Sequence, residues 1–169
     1  YSHQAIHYFE RAADAPLKLP EPYMALFQLA SHVEVEIPDC FFERLQTVLS
    51  SEQPPNNVFY LFSGLRGLYL NERQPLSVEQ GLALFESARA NPRLEGASRG
   101  HMLASYALFL REQGLDNKKA QLLAEEAVTL APGFLDNRIL AGWLSYENGD
   151  IERAKSYLVA VEVLDKFGV

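Results

Sequence analysis

His3 and His7 stand four residues apart, with Glu10 three further on. That spacing can place the two imidazoles on one metal ion. The HExxH pattern that turns such a pair to hydrolysis is missing, so the trio is read as an exposed helix face. Cys40 follows Pro38 by two residues. With Asp39 as N-cap it would sit at a helix N-terminus, where the dipole favours a thiolate. Nucleophilic chemistry would also need a histidine base, and no Cys-His pairing is legible, so Cys40 is read as structural. Arg89, Arg93 and Arg99 gather around one turn and could hold a phosphate or an acidic tail. Glu86 and Glu95 interleave with them, which favours a solvated surface. Ser63, Gly64 and Gly67 lie in an apolar stretch and fit close helix packing, because neither GxxxxGK[ST] nor GxGxxG occurs. His32 and His101 have no visible carboxylate or thiol partner. The expectation is a chain without catalytic residues, cofactor or metal of its own.

The elements around these residues follow a rhythm. One stripe recurs five times: Ala5-Phe9-Ala12, Phe41-Leu45-Val48, Gly81-Phe85-Ala88, Ala120-Ala124-Ala127 and Ala154-Leu158-Val161. The steps between copies are 36, 40, 39 and 34 residues. A helical stripe repeating at that interval predicts stacked helix pairs, a solenoid rather than a globule with one buried site. In such a stack Ala120 and Ala154 take the small-residue slots between paired helices, while Phe85 or Leu158 plugs the gap to the next pair.

Local signals place the helices. The first spans 3–13 and ends in the Pro16 to Pro20 stretch; the second runs about 22–34, with Pro22 in its first turn. Asp39 caps a third over 39–50. Asn56 or Asn57 opens a fourth, reaching about 71. Ser77 caps a fifth, with Gln80 as capping-box partner, and this helix stops before Pro92. A sixth covers 97–113 and ends at Gly114; a seventh covers 117–130 and stops at Pro132. The eighth covers 134–148, closed by Asn148-Gly149, and Asp150 caps a ninth that reaches about 166. No segment alternates with period two, so no sheet is expected.

Composition narrows the partners. With 48% hydrophobic residues the chain can bury a core. A net charge of −7 argues against nucleic acid, which needs a basic face. The charge is uneven: −5 over 1–65, +2 over 66–119 and −4 over 120–169. The middle segment is read as a solvated mixed-charge face. One cysteine excludes an internal disulfide and a Cys-rich zinc site. No apolar run is long enough to span a bilayer. The chain begins at Tyr1, inside an expected helix, and is read as a domain excised from a longer protein, which leaves room for targeting or membrane segments upstream. Its compartment is left open, either cytoplasmic or the periplasmic side of a bacterial membrane protein.

The last two helix pairs resemble tetratricopeptide repeats. Thirty-four residues separate Ala107 from Ala141, Ala120 from Ala154, Ala124 from Leu158 and Ala127 from Val161. Ala141-Gly142 supplies the small pair in mid-first-helix, Gly149-Asp150 the turn and Pro132 the closing proline. The resemblance is closest over 97–166, looser over 56–92 and weakest over 1–50. The turn Gly114-Leu115-Asp116-Asn117 carries one extra residue, and Asn71 to Leu76 is a longer insert. It implies an all-α, right-handed solenoid of about four helix pairs plus one leading helix, forming one repeat domain over 1–169. It also implies a non-catalytic protein-interaction module, whose concave groove takes a peptide, a protein or another domain of the same chain. The implied groove positions are Asp136, Ile139, Trp143 and Tyr146 in the last pair, and Ser105, Phe109 and Glu112 in the pair before. In the second pair they are Leu61, Leu65 and Leu68; in the first, Met24, Phe27 and Ser31. Phe109, Asp136, Ile139, Trp143 and Tyr146 are taken as the partner-binding set, and core burial is the competing assignment for the aromatics. The Lys and Asn clamp that some members use on a peptide's terminal carboxylate is absent, since Ser105, Phe109, Ile139 and Trp143 hold those positions.

Three short segments, Leu19-Pro20-Glu21-Pro22-Tyr23, Ile37-Pro38-Asp39 and Ala90-Asn91-Pro92-Arg93-Leu94, are similar to another class. They look like the divergent repeat regions that follow the membrane part of bacterial glycan polymerases, ligases and lipid-linked sugar transferases. That resemblance implies an alternative: a soluble extracytoplasmic domain whose chemistry belongs to a separate membrane domain.

Overall fold

The computed structural model describes residues 21–32, 37, 39–52, 58–70 and 77–167, together with 4, 7 and 11. The side chains of 21, 31, 32, 39, 59, 60, 70 and 161–167 lie outside that description. Among the described residues the fold is all-α, with no strand. Of the expected leading helix only Gln4, His7 and Arg11 are described, and they are helical and exposed. The first stripe, Ala5-Phe9-Ala12, and the His3 and Glu10 partners of His7 lie outside the described residues.

The sequence leads to the expectation of one repeat domain; the Cα positions gather into two compact units, Tyr1–Leu94 and Glu95–Val169. The first contains α1 (Glu21–His32), α2 (Asp39–Leu49), α3 (Val58–Leu70) and α4 (Val78–Ala90). Here α1 packs on α3, and α2 packs on α4. Gly64 makes the first contact close, since a Cβ there would lie 3.5 Å from Phe27 Cβ. Phe62 stacks on Phe85 at 4.4 Å, and Tyr23 meets Phe41 edge-on at 5.1 Å. Such paired rings add to the burial of their large apolar area. The stripes Phe41-Leu45-Val48 and Gly81-Phe85-Ala88 are wholly buried.

Two polar devices fix the ends of these helices. Gln80 N–H donates to Ser77 Oγ (3.2 Å) and Ser77 N–H donates to Gln80 Oε1 (2.8 Å), the capping box expected there. At the other end of α4 the buried Asn91 amide donates to the carbonyls of Leu49 (2.7 Å) and Ser51 (2.9 Å). It thereby satisfies acceptors that the end of α2 leaves open. Asn91 Oδ1 accepts from the Arg93 N–H at 2.9 Å.

The second unit contains α5 (Gly96–Glu112), α6 (Asn117–Leu130), α7 (Leu135–Glu147) and α8 (Ile151–Phe167). Each helix packs on the next, and α5 also touches α7. Glycine turns set this order. Gly114 (φ 63°) and Gly149 (φ 82°) are left-handed residues that close α5 and α7. After α5, Leu115 N–H donates to Leu110 C=O (2.8 Å) and Gly114 N–H to Arg111 C=O (3.0 Å). After α7, Asp150 N–H donates to Ser145 C=O (2.8 Å) and Gly149 N–H to Tyr146 C=O (3.0 Å). The two turns are the same motif, except that Leu115 is interposed before the Asp116 cap while Asp150 is itself the next cap. Asp116 Oδ1 accepts from Lys119 N–H and Asp150 Oδ1 from Arg153 N–H.

Small residues let the helices of the second unit approach. Ala107, Ala120, Ala141 and Ala154 are buried, as their slots require. A Cβ on Gly100 would lie 3.2 Å from the Ala127 carbonyl oxygen and from Ala131 Cβ. One on Gly142 would lie 3.2 Å from Tyr157 Cβ. The stripe Ala120-Ala124-Ala127 is wholly buried. Leu158 departs from the expected plug: it is 52% exposed. Phe85, the other plug, is buried.

Candidate interaction surface

Helix α7 presents a sharply divided surface. Its buried side carries Asn137, Leu140, Ala141, Gly142, Leu144 and Ser145. Asn137 Nδ2 donates to the Ala127 carbonyl of α6 (3.3 Å), and Gln121 Nε2 of α6 donates to Ser145 Oγ (3.3 Å). Asn148 Nδ2, just past the helix, reaches the carbonyl of Asn117 (3.0 Å) and Oε1 of Gln121 (2.9 Å). These bonds run antiparallel along α6 and fix the rotation of α7. The opposite side therefore faces outward with Asp136, Ile139, Trp143 and Tyr146, spaced three, four and three apart along one stripe. Ile139 is 42%, Trp143 45% and Tyr146 64% exposed. A cluster of exposed large apolar side chains on one stripe is the kind of feature that marks contact surfaces.

Trp143 is held in place. The Arg111 guanidinium of α5 lies 3.7 Å from the centre of its ring. The same guanidinium grips Glu147 with two bonds, Nε to Oε2 (2.9 Å) and Nη2 to Oε1 (2.7 Å). This fork-to-fork pairing orients the guanidinium plane, and the plane then stacks on the indole. The Arg111 hydrogen bonds, with its charge and a hydrogen bond from Trp143, hold the Glu147 carboxyl below its ordinary range. The same pairing raises Arg111 above its ordinary value. One indole face is thus covered by a cation that is itself fixed, and the residue remains nearly half open. An aromatic with few accessible rotamers makes contact at low entropic cost.

Of the five residues expected to bind a partner, Asp136, Ile139, Trp143 and Tyr146 share this exposed stripe. Phe109 does not: it is fully buried, and it is corrected here to a core residue. The reason lies in α5, which also buries Gly100, Met102, Leu103, Ala104, Ser105, Tyr106, Ala107 and Leu110, and so has almost no open side. Ser105 is buried with it, while Glu112 is half-buried. In the first unit Phe27, Leu61, Leu65 and Leu68 are buried too, because α1 and α3 pack directly on each other. Met24 is half-buried, and the Ser31 side chain lies outside the described residues. Arg111 was not among the expected residues. It sits 32 positions before Trp143, and no sequence signal links the two.

The residues considered for chemistry are dispersed. Cys40 is exposed in the first turn of α2. His101 packs edge-on against Phe134 at 4.0 Å, and burial lowers its pKa. Arg89 pairs with Glu86 and Arg99 with Glu126, each at 3.3 Å, which accounts for two of the three clustered arginines. Among the described residues no three His, Cys, Asp or Glu side chains gather as metal ligands. Among them, too, no helix is long and apolar enough to cross a membrane. Comparison of the chain with protein-family models, with curated proteins and with solved structures finds no match.

Proposed function

We propose that the chain is a non-catalytic protein-interaction module, and that the α7 stripe of Ile139, Trp143 and Tyr146 is a surface on which it takes an apolar segment of a partner. The observation that carries this reading is Trp143, large, nearly half exposed and clamped by Arg111 and Glu147. We further read α5 to α8 as two tetratricopeptide-like repeats in a right-handed stack. Support comes from the 34-residue correspondence of the buried alanines and from the contact order, in which α7 meets α6, α8 and α5. The Ala90 to Leu94 loop, which carries the resemblance to sugar transferases, has a packing role through Asn91, and gives that alternative no support of its own.

The test is a display screen of random peptides against the protein, with each selected peptide measured again on Trp143→Ala. An anchor residue is worth about 2 kcal/mol or more, roughly a thirtyfold loss of affinity. The melting temperature should move little. Peptides that bind Trp143→Ala as tightly as the parent would refute the reading. So would a blue-shifted tryptophan emission that iodide fails to quench, since this is the only tryptophan in the chain.

A further inference from the structure

The outer side of α8 is a second apolar surface, and the repeat says what fits it. Three of the five stripes have every side chain described, and all of their members are buried. In the last stripe Ala154 is buried, yet Leu158 is 52% exposed. Shifted by 34 residues, α8 corresponds to α6. Leu158 stands where Ala124 does, Ile151 where Asn117 does and Val159 where Glu125 does. Ala124 is fully buried, and the Asn117 carbonyl accepts from Asn148 at the end of α7. Position for position, Ile151 and Leu158 repeat the stripe on which Asn117 and Gln121 meet α7, and Val159 lies beside it, where Glu125 meets Arg153 of α8. Ile151, Leu158 and Val159 are 42%, 52% and 61% exposed.

We propose that this side of α8 docks an amphipathic helix of a partner protein, lying antiparallel to α8 as α7 lies on α6. The occupant continues an interface already present in the unit, and the differences between α6 and α8 define its chemistry. Leu158 is larger than Ala124, so the facing residue must be glycine or alanine. Lys155 replaces Gln121, so an acidic group belongs where α7 has Ser145. Asn148 also donates to Gln121 Oε1, an acceptor that Lys155 cannot offer, so an apolar residue against Ile151 belongs where α7 has Asn148. Among the described residues Lys155 pairs with its exposed neighbour Glu152 (2.8 Å), a contact weak enough to exchange. A second copy suits the site less well. Its α7 is already packed between α6 and α8, and its own α8 would set one Leu158 against the other. This surface is separate from the α7 stripe and does not depend on it.

The probe is a fluorescein-labelled peptide of residues 133–149 carrying Ser145→Glu and Asn148→Leu. Its anisotropy is followed as the protein is added. Saturable binding is expected, weakened at least tenfold by Leu158→Glu and by Val159→Glu, and unchanged by Leu122→Glu, which alters an exposed leucine of α6. Lys155→Glu should weaken it as well, and a peptide with Ser145→Lys should recover the loss. Circular dichroism of each variant separates lost binding from lost folding. Absence of saturable binding, or binding indifferent to both Leu158→Glu and Val159→Glu, overturns the proposal. A dimer in sedimentation that Leu158→Glu dissolves also overturns it, since the occupant is then a second copy.

Discussion

Replacing Gly100 with alanine sets two effects of known sign against each other. Alanine in a helix interior is favoured over glycine by about 0.5–1 kcal/mol, because the unfolded chain has less freedom to lose. At Gly100 the added methyl would stand 3.2 Å from the Ala127 oxygen, 3.2 Å from Ala131 Cβ and 3.3 Å from Leu130 Cβ. All three atoms belong to or lie next to the α6 backbone, so no flexible side chain can move aside. Relief requires α6 to shift as a body, and overpacking of this kind costs about 1–3 kcal/mol. The net expectation is a loss of about 1 kcal/mol. For a unit of roughly 75 residues that lowers the melting temperature by about 4–8 °C. Gly67 in α3 supplies the control, since a Cβ there meets nothing within 4 Å. Gly67→Ala should therefore show the propensity gain alone, about 0.5–1 kcal/mol. Thermal melts followed by circular dichroism read both. If Gly100→Ala melts at or above the parent temperature, the close approach of α5 to α6 is not what fixes glycine there.

Ala154→Leu should overpack the buried slot between α7 and α8 and cost about 1–3 kcal/mol in urea unfolding. Asn91→Ala removes the donor shared by the Leu49 and Ser51 carbonyls, and should cost about 2–3 kcal/mol with faster amide exchange at the end of α2. The Glu147 carboxyl is depressed in the folded state, so its contribution is complete above the ordinary glutamate value of 4.5 and is lost as pH falls through the lower folded value. As pH falls through that lowered value Arg111 should leave Trp143, and iodide quenching should rise. Glu147→Gln should show that raised quenching already at neutral pH.

The helices were legible because their ends are written in local chemistry. Ser77 with Gln80, Gly114, Pro132 and Gly149-Asp150 each act within a few residues, and the bounds of α4 to α8 follow them within a residue or two. Burial at the small slots was legible as well, because alanine and glycine at a fixed interval have one packing use. The open and closed sides of α5 were not. Its sequence has no single apolar face, so nothing in it separates a groove residue from a core residue, and Phe109 reads equally well as either. The clamp on Trp143 was hidden for a different reason. Arg111 and Trp143 meet only through the rotation of α7, which the long-range bonds of Asn137 and Gln121 determine. The role of Asn91 was invisible in the same way, since its acceptors lie 40 and 42 residues earlier.

The two glycine turns carry a lesson for engineering. Leu115 separates stopping α5 from starting α6, whereas Asp150 performs both tasks in a single residue. The first turn accordingly has slack and the second has none. Deleting Leu115 would give both turns one spacing and make α5–α6 and α7–α8 interchangeable cassettes, the starting point for a synthetic array. A tag or a fused domain belongs at Leu115, where a further residue lengthens a connection; beside Asp150 it would sever the stop from the start.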